Sequence, residues 1–261
     1  MSDIKLILGD CLEVLKDFPD NHFDLTLTSP PYDNLRTYEN TCDWNFEVFT
    51  KLVSWLYRVT KQGGVIVWIV GDAVINGSET GSSFEQALYF KKFGFNIHDT
   101  MIWKKPHFSM PQKNRYHNTF EYMFIFSKGK PKTFNPIIDK VNKYANKKPF
   151  SHNSIRKKDG DMQILKNKRA ISEYGKRYNV WEINSAAQEE PCKKHEHPAM
   201  FPKQLANDHI ISWSNEGDLI LDPMMGSGTT GLTAKKNNRN FVGIERVEKY
   251  FNIAKQRIEN E

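Results

Sequence analysis

Cysteine is scarce in this chain: Cys11, Cys42 and Cys192 are the only three in 261 residues. So few, and an odd number, cannot build a fully paired disulfide framework, which points to a reducing, cytoplasmic setting. Long apolar runs are missing too. The longest, VIVWIV at 65–70, falls far short of the ~20 residues a membrane helix needs, so no membrane partner is expected. The opening MSDIKLILGD has neither the basic leader nor the cleavage site of a secretory signal. Internal repeats are absent. Cys192, His195 and His197 lack a fourth ligand at sensible spacing, so no metal is expected there.

What is present is a globular composition, 39% hydrophobic and 13% aromatic, in a chain long enough to bury a full core. The net charge of +6 is unevenly placed. Residues 128–194 hold 17 Lys and Arg against 7 Asp and Glu, a local +10, which leaves −4 for the remainder. A basic segment within an acidic frame is the footprint of a polyanion-binding insert, although a solvated lysine-rich surface gives the same count.

Apolar runs alternate with helical patterns. Strands are expected at 4–8, 23–28, 65–70, 97–103, 121–127, 219–222 and 241–245. Helical spacing joins Phe46, Phe49, Val53 and Leu56, and again Val247, Tyr250, Phe251, Ala254 and Ile258. Phe84, Ala87 and Leu88, followed by Gly94, read as a helix with its terminal glycine. Strands that are apolar throughout, separated by helices, predict a doubly wound α/β domain with a mostly parallel, seven-stranded sheet. From Gly129 to about Pro191 the pattern fails, apart from helical hints near 161–177. The expected organisation is a catalytic part (1–128), a basic insert (129–194) and a cofactor-binding part (195–261) of the same domain.

Two turns call for explanation. The strand FDLTLT runs into Ser29, Pro30, Pro31 and Tyr32, and prolines end a strand because they lack the donor a ladder needs. The strand LILD runs into DPMMGSGTTG (222–231), a glycine-rich turn that opens a helix. Such a turn lets a ligand approach the backbone and aims amides at it, and Asp222 at the strand end could meet a cationic amine. A phosphate-cradling P-loop is excluded, since Gly228 is followed by Thr229 rather than lysine. Gly226, Gly228 and Gly231 do satisfy the dinucleotide spacing, and Glu245 supplies the acid expected about 20 residues on. That acid binds ribose hydroxyls, so the site wants an adenosine-type ligand; a tight turn with no ligand is the plainer alternative.

TSPPY (28–32) and DPMMGSGTT (222–230) together resemble the paired signatures of the S-adenosylmethionine-dependent DNA amino-methyltransferases. With the catalytic motif first and the cofactor glycines last, the order is similar to the circularly permuted beta group. GDCLEVL (9–15), GGVIVWIVGD (63–72), NTFEYMFIFSK (118–128) and HPAMFPKQL (197–205) agree with it. The resemblance covers about 6–128 and 195–250 and implies a class I methyltransferase (Rossmann-like) fold. It also implies S-adenosyl-L-methionine as cofactor and double-stranded DNA as partner. A homodimer and a separately acting cognate restriction endonuclease are compatible with it.

By the same resemblance, Ser29, Pro30, Pro31 and Tyr32 are the catalytic corner. An exocyclic amine is a poor nucleophile because its lone pair is delocalised into the ring. Acceptors on its protons, Ser29 Oγ and the Pro30 carbonyl, would favour the pyramidal form, with the prolines holding them rigid. Tyr32 would stack on the flipped base, and a sulfonium donor needs no strong general base. Asp10 and Cys11 would border the adenine ring, Glu245 the ribose, and Phe201, Pro202 and Lys203 the methionine side. Asp222, Pro223, Met224, Gly226, Ser227, Gly228 and Thr229 form the cofactor loop. Asp10 also reads as a helix cap with Glu13 as its capping-box partner. Arg36, in the loop 33–44, and Arg156, Lys157, Lys158, Lys168, Arg169 and Arg177, in the insert, are the DNA-contact candidates. That loop reads equally as plain surface, and Asn153 and Gln163 share the insert with no means of ranking. Serine ahead of the two prolines favours N4 of cytosine; N6 of adenine is the alternative, and a non-catalytic DNA-binding module is the reading from another class. The pair Pro191-Cys192 offers no C5-methylation nucleophile, because it lacks the strand context that mechanism needs.

Overall fold

The structure is a computed structural model describing residues 2–31, 44–108, 111, 113–147, 154–164, 170–186 and 201–260. Tyr32, Arg36, Lys168 and Arg169, and the residues Cys192, His195 and His197, lie outside them.

The chain divides into two compact units, residues 1–135 with 179–261, and residues 136–178. In the first, β1 (Ile4–Leu8) leads into a single turn of helix, α1 (Cys11–Val14). There follow β2 (Phe23–Thr28), α2 (Phe46–Val59), β3 (Thr60–Val70), the short ribbon β4 (Val74–Ile75) and β5 (Ser78–Glu79), and α3 (Ser82–Phe93). β6 (Asn96–Lys104) and β7 (Phe120–Ser127) come next. After the second unit the chain returns as β12 (Val180–Glu182), α4 (Lys203–Trp213), β13 (Leu219–Asp222), α5 (Thr229–Lys236), β14 (Asn240–Glu245) and α6 (Glu248–Asn260).

The sheet order is β1-β14-β13-β2-β3-β7-β6-β12. Every neighbouring pair is parallel except those made by β7, which runs antiparallel to β3 and β6. All seven anticipated strands are present, but among the described residues the sheet has eight. The addition, β12, is three residues long and too short to carry a period. Tryptophans hold it in place: Trp103 Nε1 donates to the Ile183 carbonyl at 2.9 Å, and Trp181 packs 4.6 Å from the buried His209 ring. The N-terminal strand completes the sheet by pairing with the last one, Ile4 opposite Phe241 through Leu8 opposite Glu245.

Burial on both faces explains the continuous apolar strands. Trp68, Phe90 and Phe126 are fully buried, with Phe90 stacked on Phe126 at 4.1 Å. Each such ring contributes about 1.5–3 kcal/mol. α3 corrects the helical-face expectation. Phe84 and Leu88 are 50% and 63% exposed, whereas Ser83 and Gln86 face inward with Ala87 and Phe90. Partners make those polar residues tolerable inside: Asp72 accepts from the Ser83 amide at 2.9 Å, and Gln86 accepts from Trp68 Nε1 at 2.8 Å. Gly94 ends this helix at φ +130°, which Cβ-bearing residues rarely adopt.

The second unit is built from paired strands. β8 (Ile138–Val141) pairs with β11 (Tyr174–Lys176), and β9 (Ser154–Arg156) with β10 (Met162–Ile164), both antiparallel. Residues 165–169 lie outside the described ones, and the helical hints near 161–177 are therefore overturned at residues 162–164 and 174–176, which are extended. Their pairing partners lie as far back as Ile138, outside any local window. Lys128, counted with the basic segment, belongs to the first unit. Its ammonium donates to the carbonyls of Tyr57 and Thr60 at 2.7 and 3.0 Å, and burial pushes its pKa down.

Candidate active site

Four adjacent strands, β1, β14, β13 and β2, end on the same side of the sheet. At or just beyond their carboxyl ends stand Asp10, Glu245, Asp222 and Ser29 in that order. Three inter-strand steps of about 4.8 Å make a row of roughly 14 Å, room for a nucleoside with a charged 5′ arm.

Glu245 is 8% exposed, and both its oxygens are engaged. Oε2 accepts from the Gly226 amide at 2.9 Å and Oε1 from the Val247 amide at 2.8 Å. Burial pushes its pKa up despite those bonds. Asp222, 1% exposed, is bound within the protein. Oδ1 accepts from Thr28 Oγ1 at 2.8 Å and the Met224 amide at 3.2 Å, and Oδ2 from Thr230 Oγ1 at 2.7 Å. Burial raises its pKa to about 6, with the neighbouring Glu245 adding to the rise. Asp10 Oδ1 caps α1 through the Leu12 amide at 2.8 Å, and Oδ2 stands 4.0 Å from Arg246. The anticipated capping box is only half formed, because the Glu13 carboxylate pairs with Lys16 at 2.6 Å.

The glycine loop follows the left-handed backbone its composition requires, with φ +52° at Gly226 and +79° at Gly228. Its amides are less available than expected. Those of Met225 and Gly228 donate to the carbonyls of Ile244 and Met225, and those of Met224 and Gly226 to the two acids. A Cβ at Gly228 would stand 2.9 Å from that of Ala254, and one at Gly231 would stand 2.4 Å from Phe241. The last two glycines thus admit a helix and a core ring. Ser227 is buried, and its hydroxyl and carbonyl accept from Arg257 Nη1 at 2.8 and 2.5 Å. Arg257 was not anticipated. Near the end of an amphipathic helix it reads as a solvated charge, and only the packing of α6 against α5 reveals it.

Pro30 is buried, with Ser29 and Pro31 half-buried on either side. Cys11 is half-buried against the core at the start of α1. Phe201 and Pro202 precede α4, which Lys203 begins, and that helix contacts both β2 and α5, the carriers of the two motifs. Pro223 and Thr229 flank the glycine turn, and Thr229 is buried. In the second unit, Lys157 and Lys158 are exposed in the turn between β9 and β10, and Arg156 reaches across it to the Gly160 carbonyl at 3.2 Å. Arg177 pairs with Asp139, Nε to Oδ2 at 2.9 Å, so its charge is matched locally and the Asp139 carboxyl is held low.

A site with buried acids whose ionised forms lack enough solvation suits a cation. A sulfonium carrying an ammonium arm and ribose hydroxyls fits that donor set; a bare phosphate does not.

Comparison with known proteins defines the class. The sequence profile of the DNA methylases of the N6/N4 class matches residues 23–256. The chain is 51% identical over 255 residues, 97% of its length and 91% of its relative's, to the orphan methyltransferase M.BamHII of Bacillus amyloliquefaciens. It is 29% identical to the Type II methyltransferase M.BglII of Bacillus subtilis, covering 98% of this chain and 69% of that one. Among solved structures, the M1.HpyAVI complex with SAM superposes with a TM-score of 0.65 at 25% identity, covering 98% of both chains. The cytosine-N4-specific PvuII DNA methyltransferase superposes with a TM-score of 0.68 at 22% identity, covering 98% of this chain and 86% of that one. The fold is that of the class I methyltransferases. The chain belongs to the N6/N4 DNA methylase family and is a DNA methyltransferase.

Proposed function

We propose that this chain transfers a methyl group from S-adenosylmethionine to the exocyclic amine of a base turned out of double-stranded DNA, with N4 of cytosine as the target. One observation carries the reading: Ser29-Pro30 and the loop 222–228 follow neighbouring strands and are joined by a buried hydrogen bond from Thr28 to Asp222. Acceptors for amine protons therefore stand beside acids suited to a sulfonium.

S-adenosylmethionine, when bound, supplies a methyl group already activated for transfer by the positive sulfur. The rest falls to the chain. Glu245 and Asp10 take the ribose and adenine side, Cys11 borders the ring, and residues 222–229 with Phe201 and Lys203 take the methionine arm. Ser29 Oγ and the Pro30 carbonyl accept the two amine protons and favour the pyramidal nitrogen, with Pro31 removing a competing amide. Tyr32 stacks on the extruded base, an interaction worth ~1–3 kcal/mol. The amine proton leaves to solvent after transfer, so no buried base is needed.

Arg156, Lys157 and Lys158, on the exposed turn of the second unit, contact phosphate, with Lys168, Arg169 and Arg36 as further contacts. Arg177 instead ties β8 to the end of the unit through Asp139. The cytosine assignment rests on Ser29. The Type II names of relatives at 28–30% identity support a restriction–modification role. The relative at 51% is named an orphan, which supports a methyltransferase that works without a companion nuclease. The chain acts in the cytoplasm, where its DNA lies.

The test is to express the chain in a host free of DNA methylation, sequence the DNA for modified positions and digest it for mass spectrometry. N4-methylcytosine at a short fixed site is the expected result. N6-methyladenine would move the target to the other base, and unmodified DNA with normal cofactor binding would leave a binding module.

A further inference from the structure

Thr28, Asp222 and Thr230 form a closed polar cluster within the apolar core: they are 0%, 1% and 0% exposed. Thr28 is the last residue of β2, directly before Ser29. Asp222 is the last of β13, directly before the cofactor loop, and Thr230 lies in the first turn of α5, directly after it. The carboxylate takes one hydroxyl on each oxygen, at 2.8 Å from Thr28 and 2.7 Å from Thr230. The Met224 amide is the third donor, at 3.2 Å. Both ends of the cofactor loop and the catalytic corner are thereby gripped by one side chain, across 194 residues of chain.

Neighbouring parallel strands alone do not need this. The ladder pairs Ile220 with Leu25 and Leu221 with Thr26, and no further pair is made toward the carboxyl ends. Beyond residues 26 and 221 each strand is still paired on its other side, Thr28 with Trp68 and Asp222 with Gly243. The link between the two turns passes to side chains: the Asp222 cluster and a longer bond from Thr230 Oγ1 to the Leu27 carbonyl at 3.4 Å. A buried carboxylate is costly unless its bonds matter, since an apolar pair could fill the same space.

We infer that Asp222 is a positioning residue, with Thr28 and Thr230 as its arms, that sets the distance between the amine acceptors at Ser29-Pro30 and the methyl donor held by the glycine loop. The inference rests on the methyl-transfer reading above and adds the alignment of the two motifs to the place of Asp222 on the cofactor side. Misplacement of about 1 Å between reacting groups costs on the order of a hundredfold in rate.

Thr28→Val and Thr28→Ser separate the link from packing. Valine keeps the shape and loses the hydroxyl; serine keeps the hydroxyl and loses a methyl. Single-turnover transfer to DNA at saturating cofactor should fall about ten- to a hundredfold in Thr28→Val, with the cofactor's Kd by calorimetry near wild type. Thr28→Ser should stay close to wild type in both. Amide exchange at positions 28 and 29, read without DNA, should quicken in Thr28→Val and not in Thr28→Ser. A transfer rate in Thr28→Val equal to or above that of Thr28→Ser, or amide exchange in Thr28→Val no faster than in Thr28→Ser, would overturn the link. Should the wild type transfer no methyl group, the methyl-transfer reading fails by itself, while the exchange ranking still decides whether the hydroxyl joins the two turns.

Discussion

The Gly226 amide donates to Glu245 Oε2 at 2.9 Å, so an acid at the end of one strand braces the turn that follows its neighbour. The acid proposed to hold the ribose is thus also part of the loop's frame.

Replacing Glu245 should therefore weaken the cofactor in two ways. Glu245→Gln leaves an amide nitrogen facing a backbone donor, either Gly226 or Val247, and removes a charged acceptor. A hydrogen bond to a charged group is worth about 1.5–3 kcal/mol, which corresponds to roughly a ten- to hundredfold rise in the Kd for S-adenosylmethionine by calorimetry. Turnover at saturating cofactor should change much less.

Stability should depend on pH through Asp222. Its folded pKa of about 6 lies above the ordinary 3.8, chiefly because of burial. A raised carboxyl contributes stability fully present below the unfolded pKa and lost as pH rises through the folded one. The protein without cofactor should therefore lose on the order of 3 kcal/mol between about pH 4 and pH 6 from this group. A cationic ligand prefers the ionised acid, so cofactor affinity should rise over the same window. Melting curves across pH, with and without S-adenosylmethionine, test both. Asp222→Asn should flatten most of the dependence and leave the smaller part due to Glu245, whose pKa burial also raises.

Arg257 grips the glycine loop from the far side through Ser227. Arg257→Ala should leave a folded protein whose cofactor affinity falls by about tenfold, the loss of a charged hydrogen bond. Arg257→Lys should recover part of it, because a single nitrogen, Nη1, makes both contacts and the shorter lysine can bring an ammonium near the same acceptors. Equal affinity in all three proteins would remove Arg257 from the loop's support.

The two lysines of the β9–β10 turn, Lys157 and Lys158, are exposed and are the proposed phosphate contacts. DNA affinity should fall steeply with salt, and replacing both by alanine should reduce the slope of log K against log salt by about two. Arg177→Ala should leave that slope unchanged and lower the melting temperature, since its partner is Asp139.

Much of this was legible in the sequence because it is local. The seven longer strands appeared as apolar runs, and each motif announced itself within ten residues, since a strand end, a proline corner and a glycine turn are short-range backbone chemistry. The acids that end β13 and β14 were legible for the same reason. The inward face of α3 was not: Gln86 is inside because Trp68, eighteen residues earlier, donates to it, and Phe84 lies outside. Nor was β12, whose three residues carry no period and whose place depends on Trp103 of a distant strand. The chain alone determined the residue types, their order and the reaction class they suit. Tertiary structure decided what Asp222 and Arg257 touch, because hydrogen bonding across 194 residues and the loss of water around a carboxylate exist only once the strands are side by side.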